Sequence, residues 1–273
     1  MYEYNGKELT KAQETLIYWI NERRLVRTCK EAGLPKPWSK DPVMQTVYFC
    51  NVDREDDKVT RWIREHYTHD CPAEANMAMA RLVNRITSLE ALGWPWEYFD
   101  VEQFKAVAES RKPFWGSAYV VTTHGQPMSK VEYACGVLQA VFTAPPIVSH
   151  TPTLEQAHSA IQALEGFGSF MAAQVVADLK NTSGHPLEFA DDWCLWSAHG
   201  PGSLRGLSWF WGDKVTPGTY RAKIKAAWEM VMDHVEPMCM QNFQNCFCEY
   251  DKYMRVSNKT GRSKRSYPGA HVA

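Results

Sequence analysis

LEGFGSFMAAQVVADL, residues 164–179, decides how this chain is read. An apolar residue precedes a Gly-x-Gly step, Gly166 and Gly168, and a helical stretch follows in which Ala172 and Ala173 permit close packing. Glycines turn a chain tightly because they carry no Cβ. The pattern is that of a helix–hairpin–helix element, whose second helix opens with backbone N–H groups able to hold a phosphate without reading sequence. Gly166, Gly168 and Ser169 are therefore candidate DNA contacts. A tight turn between two core helices would use the same residues, because a lone Gly-x-Gly is common.

Working outward, Thr153-Leu154-Glu155-Gln156 predicts the start of the hairpin's first helix, with Thr153 as cap and Gln156 reaching back. Residues 129–142 predict another helix. Residues 73–92 predict one amphipathic helix on Met77, Met79, Leu82, Val83, Ile86 and Leu89. Residues 9–31 carry Leu16, Trp19, Ile20, Leu25 and Val26 at helical steps and stop at Gly33, Pro35 and Pro37. Asp53 to Glu65 has the acidic-first, basic-later order that suits a helix dipole. Residues 219–235 and 239–255 predict two more helices. Ser117 to Thr123, SAYVVTT, is the best strand candidate, as part of a small hairpin or as a loop. The expected fold is mainly α, residues 1–273 forming one helical domain of two packed halves with a basic tail over 255–273.

Composition narrows the function. The chain is 45% hydrophobic and 22% charged, as ordinary globular proteins are. Its 30 basic and 31 acidic side chains nearly cancel, so no global positive field announces a polyanionic partner and any DNA contact must be local. No apolar run approaches the roughly 20 residues of a membrane span, and Met1-Tyr2-Glu3-Tyr4 lacks the features of a signal peptide. The expectation is an intracellular protein with no membrane partner. Of eight cysteines, Cys239, Cys246 and Cys248 invite a metal reading, but a four-thiolate cluster needs a fourth ligand and no cysteine follows. No metal and no cofactor are expected, the cysteines reading as sulfurs on a buried helix face.

The chemistry is expected from FADDWCLWSAHGPGSLRGL, which supplies Asp191 and Asp192 about two dozen residues after the hairpin, where helix–hairpin–helix glycosylases place a catalytic aspartate. Adjacent carboxylates point in different directions, so one can cap the next helix while the other faces a cavity; both could also merely cap or solvate a loop. No lysine lies within residues 164–179, so imine chemistry of the glycosylase–lyase kind is not expected. No Gly-x-x-x-x-Gly-Lys-Ser/Thr sequence occurs, so the usual ATP phosphate loop is absent.

Four stretches in order, PWSKDPVMQTVYFCNVDREDDKVTRWI, FGSFMAAQVVADLK, ADDWCLWSAHGPGSLRGL and CEYDKYMR, resemble the phage thymine-hypermodification proteins first described as α-glutamyl/putrescinyl thymine pyrophosphorylases. That group includes the helical domain of 5-hydroxymethyluracil DNA kinases and the amino acid:DNA transferases, and is related to helix–hairpin–helix DNA glycosylases. The likeness covers residues 12–267. It implies a glycosylase-like helical fold and an enzyme of a phage-infected host cytoplasm, modifying a thymine derivative in double-stranded DNA.

Carried over residue by residue, Asp192 matches the acidic position. Gly200, Pro201, Gly202, Ser203 and Arg205 match a glycine-rich loop, and Asn51, Arg54, Glu55 and Asp56 match the N-terminal motif. His199 stands where the group usually has proline, and Asp53 where an aromatic residue is frequent. Asp192, Asp191, Arg54 and Arg205 are the expected catalytic set, the arginines holding a departing phosphate; the alternative is an ion pair with Asp56 or Asp57.

A flipped base would meet Trp38, Phe49, Asn51, Trp193, Trp196, Gly202 and Ser203, although so many aromatics are more often core. Lys259, Arg262, Lys264 and Arg265 of the tail would neutralise DNA phosphates, or be merely solvated. An amino acid:DNA transferase, joining an amino acid or other amine donor to an activated 5-methylene carbon, ranks first. The helical component of a 5-hydroxymethyluracil DNA kinase, working with a separate kinase, comes next. A DNA glycosylase or a non-catalytic DNA-binding subunit is the remaining alternative.

Overall fold

The computed structural model describes residues 2–118, 121–123, 125–145 and 153–261. They fall into two compact units, the first made of residues 1–57 and 197–273, the second of residues 58–196. Both are helical. Among the described residues no helix is long and apolar enough to cross a membrane.

The first unit opens with a two-stranded antiparallel hairpin, β1 (Glu3–Tyr4) and β2 (Lys7–Glu8). Its turn is Asn5-Gly6, with φ of 51° and 72°, the pair that the tightest hairpin turn favours. Over 117–123 no described residue is in a strand, and residues 119 and 120 lie outside the described residues. Helix α1 (Lys11–Glu31) starts at Thr10 with a capping box to Gln13 and buries Leu16, Ile17, Trp19 and Ile20. Gly33, at φ 70°, stops it. Asp41 caps the short α2 (Pro42–Thr46).

In the second unit, α3 (Lys58–His66) follows a 3-10 turn at Arg54–Asp56. The continuous helix expected over 73–92 is broken into α4 (Ala73–Val83) and α5 (Ile86–Leu92). Asn84 between them is left-handed at φ 46°. The break is enforced from outside: Gly116 donates its N–H to the Val83 carbonyl at 2.8 Å. Any Cβ on Gly116 would lie 2.0 Å from the Asn84 oxygen.

Helix α6 (Val101–Ser110), capped by Asp100, lies in a stretch where the sequence predicts no element. Helix α7 (Lys130–Thr143) has the Ser129–Glu132 capping box. The hairpin pair is α8 (Leu154–Gln162) and α9 (Ser169–Leu179), and Thr153 and Gln156 form the expected box at its start.

Helix α4 is buried from Ala75 to Val83 and packs against α7 and α9. Its alanines and those of α9 allow close approach, and one charged contact locks the register. Arg81 of α4 is 1% exposed and Asp178 of α9 is 0% exposed. The guanidinium donates to both carboxylate oxygens, at 2.5 and 2.6 Å, and to Thr60 of α3 at 2.8 Å. Arg64 of α3 adds a contact to Asp178 at 3.2 Å.

The first unit closes with α10 (Pro201–Trp211), α11 (Pro217–Val231) and α12 (Met240–Ser257). The glycine-rich loop expected at 200–205 is thus the first turn of a helix. Pro201 occupies the first helical position, where its missing N–H costs nothing. A Cβ on Gly206 would sit 2.1 Å from the Phe247 carbonyl oxygen, and one on Gly202 would sit 3.2 Å from the Cys248 sulfur. Helices α10 and α12 therefore touch at backbone distance. Phe210, Phe247 and Phe243 pack edge-on below that contact.

Breaking the Arg81–Asp178 pair from one side, by Arg81→Ala or Asp178→Ala, is expected to cost about 3–5 kcal/mol in urea unfolding, because a buried charge loses its closest partner. Replacing both, Arg81→Met with Asp178→Leu, is expected to recover most of that loss.

Candidate nucleic-acid interface and acidic turn

Between α8 and α9 the chain reverses through Phe167, whose N–H returns to the Leu164 carbonyl at 3.2 Å. Gly166 makes this possible twice over. Its φ is 86°, and a Cβ there would lie 2.4 Å from Val137. Gly168 plays a different part. With ordinary φ and open space around it, it is the N-cap of α9 and offers no side chain to the first amides of that helix.

Beside the hairpin lies an open cleft of about 280 Å³ lined by Gln126, Tyr133, Glu165, Gly166, Phe167 and Gly168. Burial, then the Glu165 charge, pushes the Tyr133 phenol above its ordinary pKa. His158 of α8 reaches across to the Ser169 carbonyl at 3.0 Å and fixes the start of α9. That residue carries no signal in the sequence pattern.

The acidic turn sits at the other end of α8. Asp192 accepts from the Leu154 amide at 2.7 Å and from the Glu155 amide at 3.1 Å, one on each carboxylate oxygen. A carboxylate is favoured there, facing orphan N–H groups at the positive end of a helix dipole. Asp191 is exposed. So one carboxylate of the pair does cap a helix, and the helix is the preceding α8. Trp193 is pinned: its indole N–H donates to the Lys180 carbonyl, and Lys180 Nζ returns the bond to the Trp193 carbonyl, both at 2.9 Å. The ammonium also lies 3.9 Å above the indole ring. Lys180 is buried, and nothing in the sequence singled it out.

The other expected base-contacting residues are distributed as follows. Trp196 is buried against His158. Phe49 is buried in the core of the first unit, edge-on to Trp19. Trp38 is half-buried, its indole bound to the Leu34 carbonyl. Asn51 accepts from Arg23 and donates to the Asp56 carbonyl, so it braces its own loop. Ser203 is fully buried, its hydroxyl turned back onto the Gly200 backbone, while Gly202 lies against Cys248.

Arg205 takes a carboxylate other than Asp56 or Asp57. Asp56 is held by Arg27 at 2.6 Å, and Arg205 binds Asp251 at 2.9 Å. Arg54 is half-buried, its amide donating to Asn242 at 3.3 Å. Lys259 is exposed beyond α12; Arg262, Lys264 and Arg265 lie outside the described residues. The Cys246 sulfur is buried, with Met238 at 4.0 Å, and burial raises its thiol well above the ordinary range. Cys248 is pushed up to about 12 by the same cause.

A buried α4 locked to a glycine hairpin, with an acidic turn capping the hairpin's first helix, defines a mainly helical hairpin protein. Residues 10–263 match the family described as 5-hmdU DNA kinase, helical domain, and the chain belongs to that family. It is similar to a "5-hmdU DNA kinase" of Bacillus phage SP10, 27% identical over 214 residues, which take in 66% of this chain and 33% of the relative. The chain thus aligns with about a third of that relative's length. No solved structure matches.

Removing the cap by Asp192→Ala is expected to lower stability by about 1–2 kcal/mol, while Asp191→Ala stays within roughly 0.5 kcal/mol. Gly166→Ala is expected to be more destabilising than Gly168→Ala, since the left-handed backbone alone costs roughly 1–2 kcal/mol. Thermal melts of the four variants check both orderings.

Proposed function

We propose that this chain is the DNA-engaging helical component of a 5-hydroxymethyluracil DNA kinase. Membership of the helical-domain family over residues 10–263 carries the reading, and the phage relative supports it. Both favour the kinase component over the amino acid:DNA transferase that ranked first on sequence. The reaction would join the terminal phosphoryl group of ATP to the 5-hydroxymethyl oxygen and release ADP. Such transfer rests on a phosphate cradle and magnesium. This sequence has no phosphate-loop motif, so the nucleotide belongs to a further domain or a separate chain.

In this reading the α8–α9 hairpin is the helix–hairpin–helix element of a glycosylase-like fold. The start of α9, where Gly168 brings no side-chain cap, takes a DNA phosphate, and the modified base leaves the stack to reach the kinase. Asp192, committed to α8 through both oxygens, positions the turn. Asp191, exposed beside it, is the carboxylate open to substrate.

A labelled duplex bearing 5-hydroxymethyluracil is expected to bind the chain by fluorescence anisotropy. Incubation with ATP and magnesium is expected to yield no phosphorylated nucleoside by mass spectrometry. ATP-dependent phosphorylation by this chain alone would place the nucleotide site here and sink the component reading; failure to bind the duplex would sink the DNA reading. An amino-acid adduct formed on pre-phosphorylated DNA would restore the transferase.

A further inference from the structure

Helices α10 and α12 touch at backbone distance because Gly202 and Gly206 carry no side chain. That closeness brings Arg205 and Trp209, one turn apart on α10, against Asp251 and Arg255, one turn apart on α12. Asp251 is 1% exposed. Its Oδ2 accepts from Arg205 Nε at 3.0 Å and from Arg255 Nε at 3.2 Å, and its Oδ1 faces the Trp209 indole N–H at 3.4 Å. One carboxylate thus holds two guanidinium groups and leaves one positive charge in excess.

A guanidinium has five N–H donors, and Asp251 engages the Nε edge of each. Among the described residues, no other carboxylate pairs with either arginine. Arg205 is 54% exposed and Arg255 is 32% exposed. Beyond α12 the chain turns at Lys259, at φ 56°. It passes so near Arg255 that a Cβ on Gly261 would lie 2.9 Å from Nη1. In sequence the basic residues Arg262, Lys264 and Arg265 follow at once.

The charge distribution points the same way. Residues 58–196, which hold the hairpin, carry 10 Lys/Arg against 15 Asp/Glu, whereas the other unit, residues 1–57 and 197–273, carries 20 against 16. A polyanion is attracted to the second set.

We propose that Arg205 and Arg255, held side by side by the buried carboxylate of Asp251, form a phosphodiester-binding site, and that its occupant is the DNA backbone. Arginine forks match phosphate oxygens bidentately, and two forks fixed by a shared acceptor lose little side-chain freedom on binding. Their exposure on a helical face suits a polymer backbone. The site rests on the DNA-binding reading above and adds to it a contact remote in sequence from the hairpin.

The test is the salt dependence of binding to a short labelled duplex, measured by anisotropy. Arg205→Ala with Arg255→Ala removes both forks but leaves Asp251 buried alone. The variant R205Q/R255Q/D251N, which keeps hydrogen-bonding groups and removes the buried charge, is therefore measured beside it, with circular dichroism confirming the fold. Each lost phosphate contact on duplex DNA is expected to flatten the log–log slope by about 0.9, so a loss near 1.8 is expected for either variant.

An unchanged slope in folded variants, with wild-type affinity intact, overturns the arginine site and leaves the DNA reading standing. No binding by the wild-type chain overturns that reading and the proposed occupant together. Calorimetry with inorganic tripolyphosphate separates the sources of phosphate. Tripolyphosphate binding lost in the triple variant while its DNA slope is unchanged would assign the pair to a free nucleotide and overturn the backbone assignment.

Discussion

Asp178 has no exposed surface and lies in the last turn of α9, among the buried Val175, Val176, Ala177 and Leu179. A carboxylate in that position is costly unless its oxygens are taken by positively charged donors. Arg81 takes both oxygens and Arg64 adds a third contact, so α9 has one register in which it can pack on α3 and α4. The hairpin inherits its place from this contact. With α9 locked, Gly166 must turn the chain over Val137, and α8 must return alongside at the spacing that lets His158 reach the Ser169 carbonyl. The turn at 190–196 then closes the other end of the pair, through Asp192 on α8 and the reciprocal Lys180–Trp193 bonds on α9.

The first unit is organised differently, by the absence of side chains. Gly202 and Gly206 let α10 meet the backbone of α12, and the Phe210–Phe247–Phe243 stack fills the space beneath. Its buried polar residues are paired around this core. There Asn51 and Asp56 brace the loop before α3, and Asp251 gathers two arginines. Each unit thus combines a close helix contact with a charged group that the contact makes reachable.

Family membership and geometry bear on different parts of the functional reading. The family is the one described as 5-hmdU DNA kinase, helical domain. The geometry separates a hairpin whose second helix opens on a glycine cap from a pair of arginines fixed by a common carboxylate. In the proposed reading both features are directed at phosphates, and backbone contacts set register and orientation without choosing sequence.

Much of the fold was legible in the sequence, because helices are local objects. Thr153 with Gln156, the apolar steps of α1 and α9, and the glycines of the hairpin all speak within a few residues of themselves. Asn5-Gly6 was an equally local signal for the hairpin that was missed, and CEYDKYMR held Asp251 and Arg255 one helical turn apart in plain view. The rest depended on distant partners. The break at Asn84 is imposed by Gly116, more than thirty residues away. The glycines at 200–206 read as a loop until α12 is laid against them and shows why a helix there must lack Cβ atoms. Phe49 and Trp196 looked available to a base, and only packing decided that they are core. The sequence by itself determined the helical class, the hairpin and the acidic turn, since propensity and capping act between neighbours. Which carboxylate meets which guanidinium was decided by tertiary structure alone, because charge pairing depends on distance in space and each acidic residue had several possible partners along the chain.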